Sequence, residues 1–323
     1  VALLAQHDMQ WVPILSFHQA GGNVNDDFMQ TIPLWLWGKL LEANPELASV
    51  RDLQYVSETG DASMEYVSLW ADGYVMPYYQ RFIAAFRDHY APRAGMIAEI
   101  NVSLGPAGEL RYPSYNAHDW GNYPNRGTLQ CYSPLAEADW RNHLKSRFSS
   151  IQALNYAFGT RHTQFEAISM PVADHLFENK EYVYSAWARE FLTWYHGALV
   201  AHGRRILEMT LALFEDEIWR SIPIGIKVPG IHWEISDPSA PRVAEILDGA
   251  RIEDLAIPYT AVAVDLGARR EVWFQRGSVA MAMRASIGIP SVFTPVMVDG
   301  CLLADGGLLN PVPEIGRASC RER

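Results

Sequence analysis

Three segments of the chain are apolar almost without interruption, and each ends in polar or glycine-rich residues. They are residues 9–18 (MQWVPILSFH), 96–104 (MIAEINVSL) and 221–233 (SIPIGIKVPGIHW). Short apolar runs without alternation are typical of strands buried on both faces of a sheet. Between them, apolar residues recur every three to four positions, which indicates helices. The repeated order of strand, loop and helix predicts an α/β fold with a parallel sheet, either open or closed into a barrel.

Several helical segments carry start and stop signals. Residues 134–148 have Pro134 in the first turn, where its missing amide hydrogen costs nothing. Residues 149–159 begin with two serines and end at Gly159, a typical helix end. The longest helical pattern covers residues 180–214.

Residues 64–89 also have helical spacing, but they contain two residues that disfavour a helix interior. Glycine loses more backbone freedom on folding than other residues, and proline cannot donate the helical hydrogen bond. We therefore expect Gly73 and Pro77 to interrupt the pattern, so that a turn precedes the helix.

The alternation of strands and long helices stops after about Gly249. Residues 257–266 are predicted to form a short strand, and residues 278–293 a helix of small residues. Asp299-Gly300 lies between two apolar runs, and such a pair is a strong signal for a two-residue hairpin turn.

This change predicts a domain boundary. We expect one domain over residues 1–249 and a second over residues 250–313. Residues 314–323, EIGRASCRER, resemble a translated sequencing adaptor and are predicted to be a non-native tail.

Composition narrows the classes of partner. The net charge is 26 minus 37, or −11, which argues against a nucleic-acid partner because phosphate binding needs a basic face. No apolar run approaches the roughly 20 residues that a membrane-spanning helix needs. The three cysteines lie far apart and give no metal-binding spacing, so neither metal nor cofactor is predicted. Aromatic residues make up 12% of the chain, and they indicate either core packing or the stacking of a flat ligand.

Titratable residues lie at the ends of the same three apolar segments. They are His18 and Asp26 after the first, Glu109 and Arg111 after the second, and Lys227 and His232 in the third. Barrels of alternating strands and helices collect their active sites at this edge. The loop GPAGELRYPSY has two glycines and two prolines, which would hold its carboxyl group with little entropy left to lose on binding. Paired carboxyl groups on loops rich in aromatic residues suggest glycoside hydrolysis.

The segments SFHQAGGNVNDD, GPAGELRYPSY, FLTWYHGAL and PIGIKVPGIHW resemble the β-amylases, glycoside hydrolase family 14, and most closely the bacterial branch. The resemblance covers about residues 9–245. It implies a (β/α)8 barrel, of which the chain would contain about strands 3–5. It also implies an inverting exo-hydrolase that releases maltose from the non-reducing ends of α-1,4-glucans such as starch and maltooligosaccharides. An extracellular location is implied in the same way.

The resemblance also implies roles for individual residues. Glu109 matches the general acid, and His18 matches a substrate-binding position, as does Asp26 on a loop that closes over the glucan. Lys227 and His232 match residues that bind the sugar beside the acid. The role of Arg111 is inferred from its proximity, namely that it positions or polarises Glu109.

The chain also departs from the family pattern. The general base of the family is a glutamate in a TCLEM-type motif, and we find no such motif here. The first two barrel strands are expected to be absent as well, so we predict little or no activity for this chain. Bacterial members can bind calcium, but the corresponding helix here, PYYQRFIAAF, has no carboxylates.

Residues 257–313 resemble a different family, the C-terminal part of bacterial patatin-like phospholipases. The resemblance rests on VAVDLGARREVWFQRG, AMRASIGIPSVFTPV and LLADGGLLNPVP. It implies a fragment of a patatin-like α/β fold in which Asp305 would pair with a nucleophilic serine. We find no G-x-S-x-G motif that would supply this serine.

Three hypotheses for the function follow. The first is β-amylase-type hydrolysis at residues 18–232, and the second is serine acyl hydrolysis by a patatin-like fragment. The third is a glucan-binding remnant without turnover. We expect the chain to join a truncated β-amylase to the tail of an unrelated patatin-like gene, and a natural two-domain enzyme is the alternative.

Overall fold

A computed structural model of the chain describes residues 2–7, 9–21, 27–113, 128–177, 181–227, 251–254, 259–286, 288 and 294–309. The chain divides into two compact units, Val1–Pro229 and Gly230–Arg323. The predicted domain boundary near residue 249 and the predicted tail lie outside the described residues, so both stay predictions.

The first unit alternates short strands with helices. In chain order its elements are α1 (Ala2–Gln6), β1 (Ile14–Leu15), β2 (Ala20–Gly21), β3 (Met29–Gln30), α2 (Leu34–Ala43), β4 (Tyr55–Val56), β5 (Ala62–Ser63), α3 (Asp72–Tyr90), β6 (Ile100–Val102), α4 (Pro134–Arg147), α5 (Ile151–Phe158), α6 (Ala173–Phe177), α7 (Glu181–Tyr184), α8 (Ala186–Leu213) and β7 (Ile224–Ile226). The elements of the second unit are β8 (Ala261–Asp265), β9 (Arg270–Phe274), α9 (Val279–Ser286), β10 (Val296–Val298) and β11 (Cys301–Asp305).

The three predicted strands form one parallel sheet in the order β1-β6-β7. Ile14 pairs with Asn101 across the first ladder, and Ile100 pairs with Ile224 across the second. Helices lie between these strands in the chain, as parallel pairing requires. The sheet therefore confirms the predicted α/β arrangement.

Side-chain caps define the helices that the sequence predicted. The hydroxyl groups of Ser133 and Ser150 accept hydrogen bonds from amides three residues later, at the starts of α4 and α5. Gly159 ends α5 in the left-handed conformation, with φ 67°. The long predicted helix is divided, because Ser185 caps a new helix, α8, after α7 ends at Tyr184.

The expectation for Gly73 and Pro77 is wrong. Helix α3 runs from Asp72 to Tyr90 without interruption and contains both residues. Pro77 removes a single hydrogen bond, the one to the Gly73 carbonyl group. The same helix buries Val75, Tyr79 and Ile83, and their burial outweighs one lost hydrogen bond.

Aromatic side chains fill the core of the first unit. The indole ring of Trp140 contacts the rings of Trp187, Phe191 and Trp194 at centroid distances of 5.4, 5.5 and 5.2 Å. Trp70 stacks on Trp194 at 5.6 Å. These contacts favour core packing as the explanation of the high aromatic content.

The second unit is built on an antiparallel sheet in the order β10-β11-β8-β9. Asp299 and Gly300 have φ values of 48° and 81°, as the predicted two-residue hairpin requires. The sequence did not predict β9. Helix α9 covers Val279–Ser286 of the helix predicted over residues 278–293, and residues 287 and 289–293 lie outside the described residues. In the described part of the second unit, buried apolar residues include two small clusters, Ile252, Ala261, Val279 and Ala282 in one and Ala263, Ala285 and Leu303 in the other.

None of the described helices combines the length and the apolar composition that crossing a bilayer requires.

Candidate active site

The loop after β6 holds its shape through backbone constraints. Ala107 and Gly108 both have left-handed backbones, with φ 55° and 79°. A left-handed conformation at a residue with a Cβ costs on the order of 1 kcal/mol. A Cβ atom on Gly105 would lie 2.4 Å from the carbonyl oxygen of Glu109, so the chain can turn this tightly only with glycine there. The loop therefore presents Glu109 from a tight and strained turn.

Two cationic side chains contact the Glu109 carboxylate. Arg111 donates from Nε to Oε2 at 2.9 Å, and Lys227 Nζ lies 3.2 Å from Oε1. The exposed fraction of these side chains is 17% for Glu109, 9% for Arg111 and 60% for Lys227. Arg111 also donates to the carbonyl oxygen of Tyr112 at 3.1 Å and is therefore fixed, whereas Lys227 extends into solvent.

The backbone joins these residues across two strand ends. Leu110 N–H donates to the Lys227 carbonyl oxygen at 2.9 Å, so the chain after Glu109 pairs with the chain after β7. The sequence placed Glu109, Arg111 and Lys227 at strand ends, and the structure brings them together.

His18 lies against the same loop. Its Nδ1 atom is 2.8 Å from Ser103 Oγ and 3.1 Å from Ser16 Oγ. A Cβ atom on Gly108 would lie 3.1 Å from His18 Cε1, so the absence of a side chain there leaves room for the imidazole ring. The three apolar segments thus each contribute a polar side chain to one cluster.

The environment of His18 keeps its imidazole neutral. The pKa of His18 is lowered from 6.5 to about 4, first by burial and then by the nearby charges of Lys227 and Arg111, while Glu109 opposes them. A neutral imidazole carries one donor and one acceptor, which suits a ligand rich in hydroxyl groups.

Of the three remaining predicted site residues, the structure describes one. Asp26 and His232 lie outside the described residues. Asp305 belongs to the second unit, where its Oδ1 accepts a hydrogen bond from Gly307 N–H at 2.9 Å. A Cβ atom on Gly306 would lie 2.4 Å from the carbonyl oxygen of Val262, so this glycine is required by packing against β8. A turn at the end of β11 therefore accounts for the Asp-Gly-Gly sequence.

Sequence reasoning missed the residues that support the loop. Tyr112 stacks on Tyr195 of α8 at 4.1 Å and donates from its hydroxyl group to the Tyr195 carbonyl oxygen at 2.7 Å. His202, about two turns further along α8, contacts the carbonyl oxygen of Leu104. A polar residue on the apolar stripe of a long helix was the signal that could have singled out His202.

Within the described ranges, no group of three or more His, Cys, Asp or Glu side chains is arranged to hold a metal ion. The absence of a cofactor stays a prediction.

Known proteins resemble the chain over most of its length. A family model described as glycosyl hydrolase family 14 matches residues 1–259. The thermophilic β-amylase of Thermoanaerobacterium thermosulfurigenes is 36% identical over 269 residues, which cover 80% of this chain and 46% of that protein. The β-amylase of Bacillus cereus is 35% identical over 237 residues, covering 73% of this chain and 41% of that protein.

A solved structure is similar as well. The crystal structure of the catalytic domain of β-amylase from Paenibacillus polymyxa superposes with a TM-score of 0.65 at 31% identity. The superposed region covers 76% of this chain and 56% of the chain in that crystal structure. The chain thus spans less than half the length of the two bacterial relatives above. The patatin resemblance of residues 257–313 stays a prediction.

Proposed function

The chain belongs to glycosyl hydrolase family 14, and we propose that its first unit forms the proton-donor side of a β-amylase active site. The substrate would be an α-1,4-glucan, cleaved from its non-reducing end with release of maltose. One observation carries the proposal: Glu109 stands on a strained loop at the end of the central strand, within reach of Arg111, Lys227 and the ring of His18.

Each side chain of the cluster has a part in this proposal. Glu109 donates its proton to the glycosidic oxygen as the bond breaks. Arg111 is buried and donates hydrogen bonds to Glu109 and to the Tyr112 carbonyl group, so it fixes the direction of the carboxyl group. Lys227 is the exposed partner of Glu109. A sugar hydroxyl group can replace Lys227 at the carboxylate, or it can accept a hydrogen bond from the Lys227 ammonium group. The neutral His18 ring offers a donor or an acceptor to the same sugar.

The site also needs a second carboxylate. Inverting glycosidases activate water with a base about 6.5–9.5 Å from the acid. We propose that this chain supplies the acid and not the base, because no TCLEM-type motif was found. The prediction of little or no activity for the chain alone follows from this.

The test completes the barrel and then removes the acid. Residues 9–245 are joined to the remaining barrel segments of the Bacillus cereus β-amylase, and maltose release from starch is measured. Glu109→Gln should lower release about 10²- to 10⁴-fold. Glu137→Gln is the control, because Glu137 pairs with Arg141 on helix α4 rather than with the cluster. Release that survives Glu109→Gln would reject the proposal.

For residues 250–313 we propose a separate hypothesis, a patatin-like serine acyl hydrolase fragment. It rests on the sequence resemblance of residues 257–313 alone. Hydrolysis of a p-nitrophenyl ester by the full chain that is abolished by Asp305→Ala would support it, and hydrolysis that Asp305→Ala leaves unchanged would reject it. Amplification of the source DNA that encodes residues 249–254 distinguishes a natural fusion from an artefact of joining two genes, because only the fusion gives a continuous product. Fractionation of the source culture tests the predicted extracellular location.

A further inference from the structure

A buried polar group lies directly behind the Glu109 loop. His202 on α8 is fully buried, and its Nδ1 atom is 2.9 Å from both carboxylate oxygens of Asp72. Its Nε2 atom is 3.1 Å from the carbonyl oxygen of Leu104. Asp72 also accepts hydrogen bonds from the guanidinium group of Arg205. Tyr66 is also titratable, and its ring lies edge-on to the His202 imidazole with 5.8 Å between the ring centroids.

The partners of His202 define its protonation. A carboxylate and a backbone carbonyl group both accept hydrogen bonds and cannot donate them. A neutral imidazole has one donor nitrogen, so it would leave one of these two contacts as a repulsion between lone pairs. Burial makes such an unsatisfied contact costly. Both contacts are satisfied when the ring is an imidazolium that donates from each nitrogen.

The Leu104 carbonyl group belongs to the first peptide of the loop. That peptide joins Leu104 to Gly105, and the N–H group of Leu104 donates to the carbonyl oxygen of Gly108 at 3.3 Å. Leu104 therefore closes the turn that ends at Glu109. The residue after His202, Gly203, would place a Cβ atom 3.0 Å from Leu110 Cδ1, so α8 also contacts the chain just after Glu109.

We propose that His202 is a positioning residue for Glu109, an imidazolium that is anchored by Asp72 on one nitrogen and holds the Leu104 carbonyl group with the other. It acts on the carboxyl group through the backbone of the loop, without touching substrate. The inference rests on the proposed function only for the catalytic role of Glu109. A purely structural role, in which His202 joins α8 to α3 and no more, is the alternative.

Two substitutions separate these roles. The side-chain amide of His202→Gln reaches the place of Nε2 and can still donate to Leu104. The amide of His202→Asn reaches the place of Nδ1 and can still donate to Asp72. Each variant loses the charge and one hydrogen bond, so their losses of stability are similar. They differ in whether Leu104 keeps its partner.

The experiment uses the full chain labelled with ¹⁵N, at neutral pH and without substrate. In the unsubstituted chain, both ring nitrogens of His202 should give the ¹⁵N shifts of protonated imidazole. In His202→Asn, hydrogen exchange of Arg111 Nε–H should be about tenfold faster or more, because Glu109 loses its fixed position. In His202→Gln, this rate should stay within about threefold of the original.

Two results overturn the proposal. One is the finding that a ring nitrogen of His202 carries no proton in the unsubstituted chain, and this measurement does not depend on the folding of any variant. The other is equal exchange of Arg111 Nε–H in the two variants, which would mean a purely structural role. A Glu109 without a catalytic role would leave both signals intact, so failure of the proposed function is distinguished from failure of this inference.

Discussion

Glu109 in the first unit and Asp305 in the second are both carboxylates at strand ends in glycine-containing turns, yet their surroundings differ. Glu109 contacts Arg111 and Lys227, and its turn lies against a helix that contributes Tyr195 and His202. Asp305 accepts a backbone hydrogen bond from the turn that it begins. A glycine-rich motif therefore specifies the path of the backbone, whereas charged partners and a buried support mark a candidate for chemistry.

The largest effect on stability should come from the glycines, and it should be similar in the two turns. Gly105→Ala places a Cβ atom 2.4 Å from the Glu109 carbonyl oxygen, and Gly306→Ala places one 2.4 Å from that of Val262. Each should lower the free energy of unfolding by about 2–3 kcal/mol in urea titrations.

The control for these glycines is Gly38→Ala. A Cβ atom there meets no atom within 4 Å, and α2 should gain about 0.5–1 kcal/mol from the better helix former. If Gly105→Ala proved as harmless as Gly38→Ala, the account of the loop as a turn that only glycine permits would be wrong.

A smaller effect should appear in how the free energy of unfolding depends on pH, because His18 lies against the first turn. Because burial and the nearby cations lower the pKa of His18 from 6.5 to about 4, the unfolded chain binds a proton in this range that the folded chain does not. The contribution of neutral His18 to stability is present above pH 6.5 and is lost as the pH falls towards 4. His18→Gln does not titrate, so its unfolding free energy should fall less between these pH values. Parallel curves for the two proteins would contradict the lowered pKa.

The smallest effect is expected at Asp305. The substitution Asp305→Asn keeps a side-chain oxygen that can accept the Gly307 amide, so it should change the free energy of unfolding by about 0.5 kcal/mol or less. A loss of about 2 kcal/mol or more would show that the charge of Asp305 has a partner that the turn does not explain.

Local patterns were enough to predict much of this molecule. Uninterrupted apolar runs identified the three parallel strands, and the helix caps and the Asp299-Gly300 turn are encoded by neighbouring residues. The residues expected at the strand ends include Glu109 and Lys227, and they meet because parallel strands bring their carboxyl ends to one edge.

Other features depend on contacts between distant parts of the chain. Pro77 is tolerated in α3 because the buried face of that helix outweighs a local rule. The contact between His202 and Asp72 joins residues 130 positions apart, and no spacing along the chain predicts it. No signal in the sequence indicated the turn between β8 and β9. The residue with a positive φ in that turn is Arg269, at 52°, whereas the usual signal for such a turn is glycine or asparagine.

We propose Glu109 as the proton donor of a β-amylase site. The most direct test is maltose release from starch by residues 9–245 completed with the Bacillus cereus barrel segments, measured for the original sequence and for Glu109→Gln. We expect release by the original and a loss of about 10²- to 10⁴-fold in Glu109→Gln, with release by Glu137→Gln unchanged. Equal release from the original and from Glu109→Gln would contradict it.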